Sequence, residues 1–212
     1  MSRTEGVGEM AGLTIGQMLA YIARVSNPSN QQNHETSAKL LAYCLKNQHW
    51  SVFESASLTV EIVTSRAIAQ QILRHRSFTF QEFSQRYAEA VDFEIYEARR
   101  QDTKNRQNSI DDLDEETKGW FETLQDSVNK EALRLYRAAL NAGIAKEQAR
   151  FLLPLSTQTR LYMTGNIRSW ITYCQLRCNN GTQLEHKEIA LACKAILLAE
   201  CPELEAAFEP AA

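Results

Sequence analysis

Apolar residues recur at two spacings along the chain: every three to four positions for most of its length, and every second position in a few short stretches. Ile15, Met18, Leu19, Ile22 and Val25 step as one face of a helix over 13–25, after a Gly-rich, polar lead-in at 1–12. The Pro- and Asn-containing run 26–33 reads as a loop. A second amphipathic helix is predicted over about 36–46, with Leu40, Leu41, Cys44 and Leu45 inward. Leu58, Val60 and Ile62 alternate with Thr59, Glu61 and Thr64, the pattern of a half-buried strand. Ser65 then caps a helix carrying Ala67, Ile68, Gln71 and Ile72.

Residues 91–96 are predicted as a short strand, and the very polar 100–112 as an exposed loop. Trp120, Leu124, Val128, Ala132, Leu135 and Ala139 form the stripe of a long helix ending near 141–143, either a core or a subunit contact. A shorter helix from 146 holds Arg150 and stops at Leu153-Pro154, because proline cannot continue it. A brief strand at 161–164 precedes a helix opened by Asn166 and closed at 179–181, which carries Arg168 and Arg177. A last helix runs over 183–200 and is stopped by Pro202. The expected architecture is one α+β domain over 1–212, helix-rich with a small, mainly antiparallel sheet.

The densest chemistry lies in Arg74-His75-Arg76-Ser77-Phe78-Thr79-Phe80-Gln81-Glu82-Phe83-Ser84-Gln85-Arg86-Tyr87. Guanidinium forks suit phosphate oxygens, and hydroxyl and amide side chains complete such a site. A solvated basic turn would not use Phe78, Phe80 and Phe83, and it would not carry Glu82 among the arginines. The helix C-terminus before Arg74 favours cations and is a partial structural reason for them. His49 through Glu54 mixes imidazole, aromatic and carboxylate groups just ahead of the strand that leads to this cluster.

Charge sharpens the picture. The 212 residues carry a net charge of −3, so the positive charge is local and points to a small anionic ligand instead of a nucleic-acid polymer. No leader peptide or membrane-spanning run is visible, and five cysteines without a C-x-x-C pair suit a reduced, cytoplasmic setting. Cys174 and Cys178 share a helix face, but no histidine completes a ligand set, so no metal is expected. Two rival classes stand beside an enzyme. One is a nucleic-acid-binding module that stacks bases on its aromatic residues; the other is a helical oligomer whose arginines only pair with its acids.

The stretch 74–87 resembles the R-H-R-x-x-S-x-x-x-x-S-x-R signature of flavin-dependent thymidylate synthases. Ala23 through Ser26, His49 through Glu54, Ala149-Arg150 with Leu153-Pro154-Leu155, and Asn166 through Ser169 resemble further landmarks in the family's order. The resemblance implies the thymidylate synthase-complementing fold and a homotetramer with sites built between subunits. It implies conversion of dUMP to dTMP with FAD, methylenetetrahydrofolate as carbon donor and NAD(P)H as reductant. By that resemblance Gln71, Arg74, Glu82, Phe83, Ser84, Gln85, Arg86 and Arg150 hold dUMP, and Arg177 stabilises negative charge on its base. Ser51, Arg74, His75, Arg76, Glu82, Asn166, Arg168 and Thr172 contact FAD, with His49 near flavin and folate.

Three positions depart from the pattern. Thr79 replaces the first serine of the signature, Gln81 a common asparagine, and Gly181 a histidine whose flavin contact does not carry over. A thiolate adding to the uracil ring is the usual way to activate it. None of the cysteines lies in the cluster, although Cys178 adjoins Arg177. A guanidinium beside the pyrimidine offers an electrostatic alternative. Ser84 has no plainly placed base to make it a nucleophile.

Overall fold

A computed structural model describes residues 1–89 and 92–208. Its organising unit is an antiparallel pair of nine-residue strands, β2 (Ser57–Ser65) and β6 (Gln158–Asn166), in register from Ser57 opposite Asn166 to Ser65 opposite Gln158. The β2 alternation predicted from sequence is present: Leu58, Val60, Ile62 and Thr64 are buried. They meet Gly165, Met163, Leu161 and Thr159 across the ladder, so one face of the sheet is apolar and closed. Two short strands complete the sheet in the order β1-β2-β6-β3. β1 is Ser2–Arg3, paired with β2, and β3 is Thr79–Glu82, paired with β6.

Helices cover the buried face. α1 (Ile15–Ala23) begins with a capping box in which Thr14 and Gln17 satisfy each other's backbone amides. α2 is Ser37–Lys46, and α3 is Arg66–Ile72. The loop between α1 and α2 is tied down by Arg24, which is buried and donates to the Asn33 carbonyl and to Thr36 Oγ1. The 27-residue α4 (Glu115–Asn141) starts on an Asp114 cap, has Glu115 and Glu116 in its first turn, and ends before Gly143 at φ +83°. α5 is Lys146–Ala149, α6 Ile167–Arg177 and α7 Leu184–Glu200. Trp170 of α6 is fully buried and donates its indole N–H to the Leu58 carbonyl, fastening α6 to β2. The helix-rich α+β class with a small antiparallel sheet is therefore as expected.

Several local expectations are corrected. The lead-in is not loose throughout, since Ser2–Arg3 joins the sheet edge. The polar 100–112 segment is a small hairpin of β4 (Arg100–Gln101) and β5 (Ser109–Ile110), held by Arg100–Asp112 and by Asp102 bonding its own turn. The strand predicted at 91–96 reduces to one bridge between Phe93 and Thr157, and its first residue, Val91, lies outside the described residues. The brief strand at 161–164 is more than twice as long, and the helix from 146 passes into a 3-10 turn at Arg150–Leu152. The α4 stripe is largely uncovered: Trp120, Leu124 and Val128 are 62, 41 and 55% exposed.

Phe78 lies against the backbone of β6. A Cβ added at Gly165 would stand 2.5 Å from its ring, and Phe78 is itself wedged edge-on against Trp170, so it cannot retreat. Gly165→Ala should therefore destabilise the fold by about 1–3 kcal/mol, the usual cost of overpacking, measurable by chemical denaturation.

Candidate active site

Three groups of polar residues arise from the ends of the β2–β6 ladder. The first sits where β2 passes into α3. The Ser65 hydroxyl accepts from the Ile68 amide and starts the helix, which places Arg66 in its first turn. A cation there opposes the helix dipole. The structure compensates it with Glu82, 2.9 Å from Arg66 NH1, while NH2 donates to the Phe83 carbonyl at 2.8 Å. Thr159 Oγ1 donates to the same Glu82 oxygen at 2.9 Å.

This clamp fixes the end of β3 and the chain that follows it. Arg86 pairs with Glu147 at 3.3 Å, its amide donates to Ser84 Oγ, and Arg150 Nε donates to the Glu147 carbonyl. Ser84, Arg86 and Arg150 are thus brought together around Glu147, and Phe83 is at the surface. Gln85 is only 8% exposed, and its Nε2 lacks a partner, as does buried Arg66 Nε, among the described residues. Donors without acceptors beside Arg66, Arg86 and Arg150 suit an anionic, oxygen-rich ligand. Burial presses the Arg66 guanidinium downward in pKa, Glu82 opposes it, and Arg150 adds a smaller push downward.

The second group lies at the other end of α3, about 10 Å away at 1.5 Å of helical rise per residue. Gln71 Nε2 donates to Gln183 Oε1 at 2.6 Å. Arg74 and Arg76 are exposed and have no carboxylate partner among the described residues. Arg177, in the last turn of α6, donates through Nε to His75 Nε2 at 2.9 Å. His75 sits edge-on to buried Tyr173, 4.9 Å between centroids, and Tyr173 Oη is 3.2 Å from Nε2 of fully buried His186. Burial, followed by Arg177 and Arg74, pushes His75 down to about 4. Burial, Arg177, His75 and Arg74 do the same to His186, also to about 4.

The third group lies at the far end of the ladder. Asn166 ends β6 and caps α6, accepting from the Ser169 amide at 2.8 Å. Arg168 pairs with Glu54 and lies over the Trp50 ring at 5.7 Å, beside exposed Ser51 in the 3-10 turn Trp50–Glu54. His49 precedes this turn and packs against Tyr43. Thr172 Oγ1 donates back to the Arg168 carbonyl, and Ser169 Oγ donates to the Ser77 carbonyl, so the start of α6 abuts the Arg76 turn. Thr79 Oγ1 reaches the Thr164 carbonyl only at 3.5 Å, Gln81 is exposed, and Gly181 has open space where a Cβ would stand.

The site residues named from sequence are therefore gathered, but as separate groups within one chain. Sequence reasoning missed Arg66, Glu147, Tyr173, Gln183 and His186. Arg66 had a signal, a basic residue placed directly after a helix cap where the dipole disfavours it. A cavity of about 910 Å³ lies elsewhere, between the β4–β5 hairpin, the start of α4 and residues 180–187. It approaches the second group only through Gln183. The site is assigned from the unpaired donors, since Arg74, Arg76, Arg150 and Arg177 do not line that cavity. All five cysteines are free thiols, and burial raises the pKa of each, Cys193 to about 12. Cys178, next to Arg177, is thus held as a thiol. Among the described residues no three of His, Cys, Asp and Glu are placed to hold a metal ion, and no helix is long and apolar enough to cross a membrane.

Guanidiniums without counter-ions and an orphaned buried amide, gathered around a two-strand ladder, are a donor set of the kind that suits an anionic ligand. Comparison gives the family. A profile of the thymidylate synthase complementing protein family matches residues 14–203, and the chain belongs to that family. A flavin-dependent thymidylate synthase of Synechocystis is 57% identical over 192 residues, covering 91% of this chain and 88% of that one. A probable flavin-dependent thymidylate synthase of Paramecium bursaria Chlorella virus 1 is 52% identical, covering 92% and 91%. The fold is shared with the UMP/dUMP methylase PolB of Streptomyces cacaoi, with a TM-score of 0.83, 22% identity and coverage of 98% and 92%.

The two depressed histidines set a pH dependence. Above about pH 6.5 both rings are neutral in the folded and unfolded chain, and they add nothing to it. As pH falls toward 4 the unfolded chain takes up protons that the folded chain refuses, so stability is lost through that window. Denaturant titrations at pH 7 and pH 4.5 should show this loss as a lower midpoint at the acid end.

Proposed function

We propose that this single-domain protein is a flavin-dependent thymidylate synthase that methylates dUMP to dTMP. The carbon comes from methylenetetrahydrofolate and the reducing equivalents from NAD(P)H, with FAD as the redox group. The observation that carries the reading is Arg177, pinned through Nε by a neutral histidine and without a carboxylate partner among the described residues. Methylation at C5 of uracil needs electron density raised there. Cys178 is held as a thiol by burial and is a poor nucleophile in that state. The guanidinium of Arg177 instead favours the enolate-like charge of the ring through fixed electrostatics.

Ser84, Gln85, Arg86 and Arg150 hold the phosphate, where the orphaned Gln85 amide and the Arg66 Nε lack acceptors. Glu82 and Phe83, positioned by Arg66, complete that half. Gln71, Arg74 and Arg177 take the base from the other half. The donor set also fits FAD: Arg74, Arg76 and Arg168 suit its pyrophosphate, Ser51 and Asn166 lie at the start of α6, Thr172 lies within it and His75 beside its C-terminal end. Bound there, FAD supplies hydride transfer, while the protein binds and orients. His49 lies toward flavin and folate.

The two nucleotide-binding halves sit at opposite ends of α3, so one chain presents a divided site. A second copy completing it fits the uncovered stripe of Trp120, Leu124 and Val128 and the exposed Phe151 and Leu155. A homotetramer in the cytoplasm is the assembly we propose. A nucleic-acid-binding role gains nothing, because the arginines fall into separate groups at different places in the fold and do not line a continuous stripe.

Purified protein given dUMP, methylenetetrahydrofolate, NADPH and FAD should form dTMP; absence of dTMP under all these conditions would refute the reading. Arg86→Ala and Arg150→Ala should each raise the dUMP Kd about tenfold or more, as expected for loss of about 1.5–3 kcal/mol from a charge-assisted bond. Arg177→Ala should abolish turnover with weaker effects on phosphate affinity. Trp120→Glu should shift light-scattering mass from a tetramer toward smaller species, and activity should fall with it.

A further inference from the structure

Arg177 is expected to act on the base, yet nothing assigned so far explains what aims it. Its one hydrogen bond among the described residues runs from Nε to His75 Nε2. Arginine can only donate, so His75 must accept there and carry its own proton on Nδ1. The bond exists only in that one state of the ring. A proton on Nε2 would turn an acceptor into a second donor facing a guanidinium.

The surroundings of His75 keep the ring neutral and fix its orientation. Arg74 lies next to it in its own segment, Arg177 and Tyr173 face it from α6, and His186 faces it from α7, with ring centroids 6.1 Å apart. No carboxylate partners it among the described residues. Tyr173 is itself caged by Phe78 and Trp170, at 5.9 Å each, and bonded through Oη to His186. Burial keeps Tyr173 a phenol. His186 is fully buried, and its Nδ1 has no partner among the described residues. A buried histidine with one ring nitrogen left unmatched is costly and calls for a reason. A phenylalanine would fill the same space without that cost, but could not hold the Tyr173 hydroxyl.

We propose that Tyr173 and His186 are positioning residues: together they fix the neutral ring of His75, whose Nε2 accepts from Arg177 and orients its guanidinium toward the substrate. Arg177 then keeps both terminal nitrogens for the ligand while its Nε is fixed by the protein. This rests on the proposed activity for its kinetic consequence, but the tautomer and its supports are properties of the free protein.

The chain has four histidines, so protein labelled with ¹⁵N-histidine is readily assigned with single-histidine variants. In the cofactor-free wild type, long-range ¹H–¹⁵N spectra should show His75 as the Nδ1–H tautomer, titrating near pH 4. Tyr173→Phe keeps the ring and removes the bond to His186; His186→Gln removes the imidazole. Each loosens the packing that shields His75 from water, the chief cause of its low midpoint, and should raise that midpoint and lower kcat about tenfold, with the KM for dUMP within twofold. The acid limb of kcat should move to higher pH by the same amount. An Nε2–H tautomer in the wild type would overturn the proposal, as would an unmoved midpoint in both variants. The wild-type tautomer decides even if one variant fails to fold. A wild type that makes no dTMP refutes the proposed activity, while the spectra still judge the positioning role.

Discussion

The β2–β6 ladder is the constraint on which everything else rests. Its strands are antiparallel and nine residues each, so the helices that follow them start at opposite ends of one sheet. Ser65 caps α3 at one end and Asn166 caps α6 at the other. The two helices run inward over the buried face, and their C-terminal ends meet at His75 and Arg177. Two negative helix ends converge where Arg74, Arg76 and Arg177 stand without carboxylates. The fold itself supplies part of the compensation that ion pairs would otherwise give, and it leaves the guanidiniums available.

The same geometry divides the labour of the arginines. Arg24 is structural, buried and satisfied by a carbonyl and a hydroxyl. Arg66 is a brace, spanning from α3 to the end of β3. Arg99 and Arg100 are committed to Glu185 and Asp112. Among those without a carboxylate partner in the described residues are Arg74 and Arg76 of the signature stretch, Arg150, and Arg177 at the end of α6. Counting positive charge along the chain would not separate these classes; asking where each guanidinium's partner lies does.

Much of this was readable beforehand. The period-2 run at 58–64, the Ser65 cap, the Asn166 start of α6 and the α4 stripe are local patterns, and each appears where the residues place it. β6 was read as less than half its length because Gln158, Thr159 and Arg160 are polar, and two inward positions are filled by Thr159 and Gly165, which carry little hydrophobic signal. β3 was hidden among catalytic-looking residues, and the hairpin at 100–110 is made of polar side chains that bond to one another without forming a core. Tyr173 and His186 sit on different helices and look like ordinary core positions. Their significance depends on a 3.2 Å contact that no spacing encodes. The signature stretch was legible as chemistry, but its separation into two groups belongs to the fold.

Gly165 shows how closely ligand chemistry and architecture are joined. Its missing side chain lets the Phe78 ring lie on β6, and Phe78 stands two residues after Arg76 in the basic turn. Because side chains alternate across a strand, adding one residue to β6 would exchange inward for outward along the remainder of the ladder and bring a side chain beneath that ring. Length changes in either long strand would therefore scramble ligand contacts and interior together, so drift in this lineage should be confined to the connecting segments.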